Sequence, residues 1–441
     1  MAARTLALAW RSLGRLLARG LPARLLVLPA LLRNERSAAA LNTYVARRAR
    51  RLGVDVPPDA TRLHAVPPGA FLLAKSALRQ DPARHLRPRR FGSLLRNTIR
   101  TSGTSGSPLT LVQSLGAVIR EEAFIQRQLR WIGWRPGQRR AWIRGDLVCD
   151  ERPPDGRYWR RDPVGKLLVM SSYHLSNATI GAYVAALEAF DPVVIHAYPS
   201  SIGAIAHWLE AAGRRYGGRA LRGVMTSSET LEPDVRAALM RAFGVLVFDW
   251  YGQAERVAAV GTCEHGRYHL LSDYGGVELL ALPDGSSELV GTSLNNAAMP
   301  LARYRTGDTV LVGMGMGMGM GMGEGGGKPA PCPCGRVFPT VEAVIGRQER
   351  SVTLPDGRMV ARLDRVFQGS GLRLLEGQVR YHGQARFTLR VVAADGFGSR
   401  DEAALREQFL QRVPGVQVAV ERVEAIPRGA NGKFEFIAVD G

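Results

Sequence analysis

The chain has 441 residues, of which 46% are hydrophobic and 22% charged. This length exceeds one ordinary hydrophobic core, so two domains are expected, and the composition excludes a disordered protein. The formal net charge of +20 comes almost entirely from arginine. The basic residues are spread along the chain and do not form a nucleic-acid-binding motif with interleaved aromatic residues, which argues against nucleic acid as a partner. Four cysteines are too few for a disulfide scaffold and no cleavable secretory signal is evident, so a cytoplasmic location is expected.

The N-terminal region, residues 1–90, is predicted to be helical, basic and amphipathic. Leucines and Trp10 alternate with Arg4, Arg11, Arg15 and Arg19 at helical spacing. The apolar stretch 25–32 contains Pro29 and is much shorter than the roughly 20 residues that a membrane span needs. Two interpretations remain open: a helical arm packed on its own domain, which is favoured, and reversible peripheral contact with an anionic membrane surface.

A loop of small residues follows the strand-like segment 97–100. It consists only of glycines and hydroxyl-bearing residues: Thr101, Ser102, Gly103, Thr104, Ser105 and Gly106. Glycine lets the backbone approach a ligand closely, and the amides and hydroxyls can donate to phosphate oxygens. The common P-loop would need a lysine after the last glycine, whereas Ser107 stands there. The loop is therefore either a phosphate-binding loop of another kind or a flexible linker, and the downstream motifs favour the first.

From this loop onward, strand and helix signals alternate. Helical spacing predicts a helix over 111–131, and a second helix over 202–215 follows an apolar strand at 193–196. A strand at 221–226, a helix from Pro233 to before Gly244, and a strand at 245–249 complete the pattern. Alternation of this kind indicates parallel strands with crossover helices.

Shorter strands with turn signals follow Glu255, at 268–271, 277–281 and 289–294, which indicates a more antiparallel subdomain. Residues 313–327 begin with a strict Gly-Met alternation, for which a disordered surface insertion is predicted, since glycine at every second position leaves nothing to pack. Beyond residue 348 a small α/β unit is predicted, with strands at 352–354, 386–392 and 416–420 and a helix over 401–411. The predicted domains are therefore 1–90, a core over 91–348, and 349–441.

Four motifs follow the loop in a fixed order. They are Asp249-Trp250-Tyr251-Gly252-Gln253-Ala254-Glu255, Tyr304-Arg305-Thr306-Gly307-Asp308, Ile345-Gly346-Arg347 and Pro427-Arg428-Gly429-Ala430-Asn431-Gly432-Lys433. Together they resemble the adenylate-forming superfamily of acyl-CoA synthetases. The Cys263 to His269 segment and the Cys332-Pro333-Cys334 turn look most like the phenylacetate-CoA ligase branch, including its capsular-polysaccharide-biosynthesis relatives.

The resemblance implies an α/β fold: a large multi-subdomain N-terminal domain with layered, mostly parallel sheets, and a small mobile α+β C-terminal domain. It also implies ATP-dependent activation of a carboxylic acid, aryl or related, to an acyl-adenylate, followed by transfer to a thiol. ATP, Mg²⁺ and CoA are the implied cofactor and co-substrates. This chemistry depends on positioning and electrostatics, because the enzyme must bring two anions together.

Individual roles follow from the same resemblance. Residues 101–106 would surround the β- and γ-phosphates, although the family often has lysine at the position of Ser107. In the ATP site Tyr251, which belongs to the Asp249 to Gly252 segment, would lie against adenine. Glu255 would associate with Mg²⁺, a hard ion that prefers carboxylates. Ser228 and Glu229 fall at the adenine-binding turn. Ordinary turns are the competing interpretation of Tyr251-Gly252 and of Gly307-Asp308.

The resemblance also implies residues that bind the ribose, lie near the hinge and take part in catalysis. Asp308 would accept hydrogen bonds from both ribose hydroxyls. Arg347 aligns with an arginine near the interdomain hinge, and Glu349 stands where the family more often has Asp or Lys. Lys433 matches the catalytic lysine that stabilises the adenylation transition state and then moves away with the small domain.

Three cysteines and one histidine form a possible zinc set. Cys263, His269, Cys332 and Cys334 can satisfy a closed tetrahedral structural site. His265 is the alternative to His269, and the competing interpretation is three unrelated reduced cysteines. Elsewhere, His174 and Tyr198 either line the acyl pocket or are core residues.

The sequence leaves three candidate functions. The first is an ATP-dependent acid-thiol ligase with CoA as acceptor. The second keeps adenylation but transfers the acyl group to a carrier protein or a polysaccharide-pathway acceptor. The third is a non-catalytic basic protein that binds nucleic acid or membrane on a decayed ligase scaffold.

Overall fold

The structure is a computed structural model of the 441-residue chain. It describes residues 20–88, 95–100, 109–144, 146, 148–149, 157–172, 174–313, 331–347, 352–355, 359–360, 363–367, 373–413, 415–428 and 434–440. The helices in this part of the chain are α1 (Leu28–Asn34), α2 (Ala38–Leu52), α3 (Lys75–Gln80), α4 (Leu115–Trp131), α5 (Ile180–Phe190), α6 (Pro199–Ala211), α7 (Pro233–Phe243) and α8 (Ser399–Arg412). Short π and 3₁₀ turns occur at Ala23–Val27, Ala83–His85 and Leu363–Phe367.

The strands, in chain order, are β1 (Arg96–Arg100), β2 (Thr110–Ser114), β3 (Arg140–Arg144), β4 (Trp159–Asp162), β5 (Leu167–Ser171), β6 (Val194–Ala197), β7 (Gly223–Ser227), β8 (Leu246–Gly252), β9 (Ala259–Thr262), β10 (Tyr268–Leu270), β11 (Gly275–Ala281), β12 (Ser287–Ser293), β13 (Tyr304–Leu311), β14 (Thr340–Val341), β15 (Ala343–Arg347), β16 (Val352–Thr353), β17 (Met359–Val360), β18 (Leu374–Tyr381), β19 (Arg386–Ala393), β20 (Gln417–Arg422) and β21 (Ile437–Val439).

The chain forms two compact units, each made of two separate stretches. The first unit comprises Met1–Pro136 and Phe248–Arg347, and the second comprises Gly137–Val247 and Gln348–Gly441. Among the described residues, no helix combines the length and the apolar character needed to cross a membrane.

In the second unit, strands β3 to β7 have the order β7-β6-β3-β5-β4. The β7-β6, β6-β3 and β3-β5 pairs are parallel, and the edge strand β4 is antiparallel to β5. All four residues of β6 are buried, as expected for a central parallel strand covered on both faces. Its neighbours in the core include side chains of α5, α6 and α7, among them Val184, Ile205 and Leu239.

The C-terminal stretch of the second unit has its own sheet and core. Its strand order is β20-β19-β18-β21, with β18-β19 antiparallel and the two outer pairs parallel. The alternating β19 residues Phe387, Leu389 and Val391 pack with Leu405 and Phe409 of α8. This alternation is the period-2 signal that identified the strand in the sequence.

The first unit contains three antiparallel arrangements. Strands β11, β12, β13 and β15 form one sheet in that order, and β9 pairs with both β8 and β10. Gly275 at the start of β11 cannot be replaced without movement, because a Cβ there would lie 1.8 Å from the Val257 carbonyl oxygen. Strand β1 pairs antiparallel with β2, with Arg100 opposite Thr110.

The mixed α/β architecture with a separate small C-terminal sheet domain confirms the predicted fold class. The predicted start of the 111–131 helix is wrong. Residues 110–114 form β2 instead, and α4 begins at Leu115, where the Ser114 hydroxyl accepts a hydrogen bond from the Ala117 amide at 3.2 Å. Pairing with β1 and this N-cap both stabilise the observed boundary. The predicted 202–215 helix instead begins at Pro199 and ends at Ala211, since proline is favoured in a first helical turn.

Candidate functional site

A partly buried hydrogen bond joins two predicted ATP-binding residues of the first unit. The Tyr251 hydroxyl donates to Asp308 Oδ2 at 2.7 Å. Burial, followed by the charge of Asp308, raises the pKa of Tyr251 well above its usual value of 10, so the phenol remains a donor at neutral pH. Asp308 lies opposite Arg347 in the pairing of β13 with β15, and its amide donates to Thr306 Oγ1 at 3.0 Å. The acidic group is therefore held in a fixed position.

The Glu255 carboxylate accepts a hydrogen bond from Tyr304, which belongs to the same motif as Asp308. The Tyr304 hydroxyl donates to Glu255 Oε1 at 2.9 Å, and both side chains are buried. A buried carboxylate with one oxygen held by a phenol suits a hard divalent cation such as Mg²⁺. The residues present therefore fit this ion.

The other two predicted ATP-binding residues of the Asp249 to Glu255 motif, Asp249 and Gly252, have structural contacts. The Asp249 carboxylate is buried and accepts a hydrogen bond from the Tyr268 hydroxyl at 3.2 Å. Gly252 ends β8 and pairs with Ala259. A Cβ at Gly252 would lie 3.1 Å from Trp250 Nε1, which leaves little room for a larger residue.

In the second unit, Ser228 and Glu229 follow directly after β7. Ser228 has a φ of +72°, a left-handed conformation that non-glycine residues rarely adopt and that often marks functional turns. Arg144 Nη2 donates to the Ser228 hydroxyl at 3.1 Å. Glu229 accepts two backbone hydrogen bonds, from the amide of Ser200 at 3.0 Å and from the amide of Phe434 at 2.9 Å.

His196 lies at the carboxyl end of β6 and was not singled out in the sequence. Its Nε2 lies 2.9 Å from the Ser227 hydroxyl, and its ring centroid lies 5.3 Å from that of Trp142. Burial, followed by the positive charges of Arg144 and Arg140, lowers the pKa of His196 well below 6.5. The ring is therefore neutral at pH 7. The only sequence signal was its position at the end of the apolar run 193–196.

The two residues predicted either for the acyl pocket or for the core have packed surroundings. His174 Nδ1 lies 2.8 Å from the Ser171 hydroxyl, and its ring stacks on Tyr158 with centroids 4.8 Å apart. Tyr198 is buried, with the Arg144 guanidinium 5.5 Å from its ring centroid.

The four predicted zinc ligands of the first unit come together and are all buried. Their ligand atoms lie within 4.8 Å of one another. Cys263 Sγ is 3.6 Å from Cys332 Sγ, and Cys334 Sγ is 3.3 Å from His269 Nε2. Zinc bonds of about 2.3 Å to sulfur and 2.0–2.1 Å to nitrogen, at tetrahedral angles, require about 3.8 Å and 3.6 Å for these separations. The donor set and its spacing therefore fit zinc.

The outer contacts of this Cys₃His cluster also fit a metal centre. His269 Nδ1 lies 3.3 Å from the Phe338 carbonyl oxygen, an arrangement that leaves Nε2 to face the sulfurs. Arg36 Nη1 donates to the Cys334 carbonyl at 2.6 Å, and the Val337 amide donates to the Glu35 carbonyl at 3.0 Å. The alternative ligand His265 is exposed on the turn before β10. The geometry thus selects His269.

Comparison with known proteins gives two kinds of match. No protein-family model matches the chain. Among curated proteins, Protein CapK of Staphylococcus aureus is 21% identical over 210 residues, covering 48% of this chain and 46% of CapK. The matched region thus spans about half the length of this curated relative.

Among solved structures, 2-hydroxyisobutyryl-CoA ligase in the postadenylation state, in complex with R3-HIB-AMP, has a TM-score of 0.59 at 16% identity. This match covers 94% of the present chain and 88% of that protein. The same ligase in complex with 2-HIB-AMP has a TM-score of 0.56 at 17% identity, with the same coverage. The chain has the fold of an adenylate-forming ligase. The superfamily resemblance drawn from the ordered motifs is therefore confirmed at the level of the fold.

Several predicted residues of this adenylate-forming fold lie outside the described residues. They are the loop residues Thr101, Ser102, Gly103, Thr104, Ser105, Gly106 and Ser107, the Gly-Met tract from 314 onward, Glu349 and Lys433. The backbone of Arg347 is described as the last residue of β15.

Tyr304, Arg428 and Glu376 had no role assigned from the sequence. Tyr304 opens the Tyr304-Arg305-Thr306-Gly307-Asp308 motif, so its adjacency to Asp308 was an available signal. The pairing of Arg428 with Glu376, 52 positions earlier, gave no local signal.

Proposed function

We propose that this protein activates a carboxylic acid with ATP to form an acyl-adenylate and then transfers the acyl group to the thiol of CoA. The observation that carries this proposal is the partly buried hydrogen bond from Tyr251 to Asp308. A carboxylate held in this way is a fixed acceptor for a ribose diol, since it keeps lone pairs for further donors. The fold supports the proposal because 2-hydroxyisobutyryl-CoA ligase shares it.

The proposed reaction has two steps. A carboxylate oxygen of the acid attacks the α-phosphorus of ATP, the bond to the β-phosphate oxygen breaks, and pyrophosphate leaves. The thiolate of CoA then attacks the acyl carbon, and the bond to AMP breaks. Both steps join groups that repel each other, so catalysis requires fixed positive charge and fixed geometry.

The residues are proposed to divide this work as follows. Asp308 accepts hydrogen bonds from the ribose hydroxyls, and the ring of Tyr251 lies against adenine. Glu255, with Oε1 held by Tyr304, would hold the Mg²⁺ that accompanies the nucleotide. That cation would neutralise phosphate charge when bound.

Two further parts of the proposal rest on residues quoted from the sequence. The loop 101–106 would contact the β- and γ-phosphates. Its lack of a lysine at Ser107 would leave more of the charge neutralisation to Mg²⁺ and arginine. Lys433 would stabilise the charge that develops on the transferring phosphoryl group, and Arg347 would lie near the hinge.

The acid is proposed to be aryl or a related carboxylic acid. Near the carboxyl ends of β3, β6 and β7, aromatic and neutral polar side chains lie beside the guanidinium of Arg144. Trp142, the uncharged ring of His196 and the Ser227 hydroxyl lie together there. An aromatic face combined with a few hydroxyl groups is typical of pockets for small organic ligands.

We also propose that the Cys₃His cluster binds one structural zinc ion. The set of three sulfurs and one nitrogen leaves no open coordination position, so the ion would contribute to folding rather than to the ligase chemistry. Cys263 and His269 flank the turn before β10, and Cys332 and Cys334 lie just before β14. The metal would therefore fix the chain on both sides of the pairing of β10 with β14.

Acid-dependent exchange of pyrophosphate into ATP, screened over a panel of carboxylic acids and followed by thiol acceptors, tests the ligase function. With the acid that works, Asp308→Asn should raise the KM for ATP about 10- to 100-fold, because a hydrogen bond to a charged group contributes about 1.5–3 kcal/mol. Asp284→Asn is the matched control, since Asp284 lies in an exposed turn where its carboxylate accepts hydrogen bonds from the amide and the hydroxyl of Ser286. If no acid supports exchange while the purified protein binds DNA or liposomes tightly at physiological salt, the ligase function is wrong.

A further inference from the structure

A group of polar and aromatic side chains lies near the carboxyl ends of three adjacent strands of the second unit. Strands β7, β6 and β3 are neighbours in that order and run parallel, so their carboxyl ends meet at one edge of the sheet. In open α/β sheets, ligands bind in the crevice outside this edge. We call the group the strand-end cluster, and its members are Trp142, Arg144, His196, Tyr198, Ser227 and Ser228.

Arg144, the last residue of β3, brings a positive charge to the strand-end cluster. Its Nη2 donates to the Ser228 hydroxyl at 3.1 Å. Its guanidinium carbon lies 5.0 Å from the centroid of the Trp142 ring and 5.5 Å from that of Tyr198. A guanidinium that lies against aromatic rings still presents a planar fork of donors. Three neighbours therefore fix the place of a group that can bind an anion.

The charge of Arg144 is not balanced by a carboxylate among the described residues. Its Nη2 donates to a neutral hydroxyl, and Arg144 forms no ion pair within the part of the chain that the structure describes. Glu229 follows Ser228 directly, but its two oxygens accept the amides of Ser200 and Phe434. The guanidinium is therefore held by aromatic and neutral polar groups rather than by an opposite charge.

His196 does not supply a countercharge either. Burial, followed by the positive charges of Arg144 and Arg140, lowers the pKa of His196 well below 6.5. The ring is therefore neutral at pH 7, and its Nε2 lies 2.9 Å from the Ser227 hydroxyl. Arg144 is thus the charged member of a cluster whose other members are neutral.

Two buried polar atoms at this edge also lack a partner. Trp142 Nε1 and Ser200 Oγ are buried and form no hydrogen bond with any described residue. Trp142 is one of the two rings beside the Arg144 guanidinium, and the Ser200 amide is bound to Glu229, next to Ser228. A buried donor without an acceptor is unfavourable. An acceptor group brought by a ligand would remove that cost.

These features together fit a carboxylate carried on an apolar body. A guanidinium gains most from a carboxylate, because its planar fork matches the two oxygens and forms two parallel hydrogen bonds. The rings of Trp142 and Tyr198 suit an apolar body beside that carboxylate. The indole N–H of Trp142 would gain an acceptor at the same time.

The carboxylate that is activated is a poor match for Arg144. That group loses its charge when it becomes an acyl-adenylate, so a guanidinium paired with it would lose its partner during the reaction. A carboxylate whose lone pairs are engaged by two hydrogen bonds is also a weaker nucleophile toward phosphorus. A second carboxylate of the same acid keeps its charge through both steps.

We propose that Arg144 is a specificity-determining residue that binds a second carboxylate of the acid, so that the substrate is an aryl or related dicarboxylic acid of which one carboxylate is activated. This inference rests on the proposed function and names the substrate class of its acid site. The chemistry at the other carboxylate is the adenylation given above.

The test uses dicarboxylic acids paired with their half-amides, which have the same shape but lack the second charge. The pairs are isophthalate with 3-carbamoylbenzoate, terephthalate with 4-carbamoylbenzoate, and glutarate with glutaramate. The variants are Arg144→Gln, Arg144→Lys and the control Arg139→Gln. Arg139 directly precedes β3 and forms an exposed ion pair with Asp191 at 3.5 Å, so its variant removes one positive charge at the opposite end of the same strand.

Pyrophosphate exchange gives kcat/KM for both members of each pair. For at least one pair, the wild type and Arg139→Gln should prefer the dicarboxylic acid by about 10-fold or more, because hydrogen bonds between charged groups are the strong ones. Arg144→Gln should bring the two acids to within about twofold of each other. Arg144→Lys should keep part of the preference, since it retains the charge without the planar fork. Each ratio compares two acids on one protein sample, so it does not depend on how much of a variant is folded.

Isothermal titration calorimetry without ATP measures the same preference without catalysis. The wild type should bind the preferred dicarboxylic acid at least about 10-fold more tightly than its half-amide, and Arg144→Gln should not. A preference that survives Arg144→Gln, or a wild type that binds and uses half-amides as well as dicarboxylic acids, overturns the role of Arg144 and leaves the proposed function standing. Equal losses for both members of a pair would assign Arg144 to the activated carboxylate or the nucleotide and likewise overturn the inference. A protein that exchanges pyrophosphate with no acid overturns the proposed function and this inference with it.

Discussion

Removal of the proposed zinc ion should destabilise the first unit by several kcal/mol. Cys263 and Cys332 are separated by 69 positions, so a metal that bridges them closes a loop of about 70 residues. By analogy with a disulfide across a loop of this length, closure contributes about 4 kcal/mol to the free energy of unfolding. The Gly-Met tract lies within this loop, and its glycines make the open chain especially rich in conformations.

The perturbation is Cys332→Ser, and Cys149→Ser is the matched control. Cys332 is buried in the cluster, whereas Cys149 lies elsewhere, with its sulfur 3.9 Å from His174 Nδ1. A loss of about 4 kcal/mol should lower the melting temperature by about 8–16 °C for a unit of this size. Cys149→Ser should stay within a few degrees of the wild type.

Two measurements check this prediction. Elemental analysis of protein purified without added metal should give near one zinc per wild-type chain and much less for Cys332→Ser. Calorimetry should show the lowered melting temperature in the variant and in chelator-treated wild type. Wild-type protein that contains no metal and keeps its full melting temperature in chelator would refute the argument, because a closed thiolate site contributes to folding.

Three other predictions follow from the sequence and the contacts. Lys433→Ala should lower acid-dependent pyrophosphate exchange by on the order of 10² or more, while acyl-adenylate still reacts with the thiol; equal losses in both half-reactions would make the lysine structural. Burial depresses the pKa of His196, so only the unfolded state binds a proton there just below pH 6.5. The free energy of unfolding should therefore be unaffected by this group above pH 6.5 and fall below it by about 1.4 kcal/mol per pH unit. Chemical denaturation at pH 7.5 and 5.5 measures this, and an NMR pKa near 6.5 would contradict it. Shortening residues 313–323 to a brief Gly/Ser link should leave turnover and melting temperature nearly unchanged, since loop-closure entropy grows slowly with length; a large loss of thermal stability would count against it.

The order of the elements was readable from the sequence because their signals are local. The helix α7 is an example: Pro233 lies in its first turn, and Gly244 follows its last residue with a φ of +67°, the usual C-terminal glycine conformation. The buried strands β6 and β7 appeared as short apolar runs, and β19 appeared as an alternating pattern. Such patterns depend on neighbouring residues and need no knowledge of the rest of the fold.

The start of α4 shows where local signals fail. Residues 111–114 fit a helical period, yet they form β2, because antiparallel pairing with β1 satisfies their backbone groups. Strand pairing at this distance is invisible to a period count, and tertiary context overrides propensity.

The candidate sites divide in the same way. The sequence supplied Asp308, Tyr251 and the four zinc ligands as residue types in motifs. Only the tertiary structure decided that the Tyr251 hydroxyl reaches Asp308, 57 positions away, and that buried His269 rather than exposed His265 faces the cysteines. It alone also paired Glu229 with the Phe434 amide. These contacts join positions far apart in the chain, and their partners are set by how the strands pair and which side chains are buried, which no local pattern encodes.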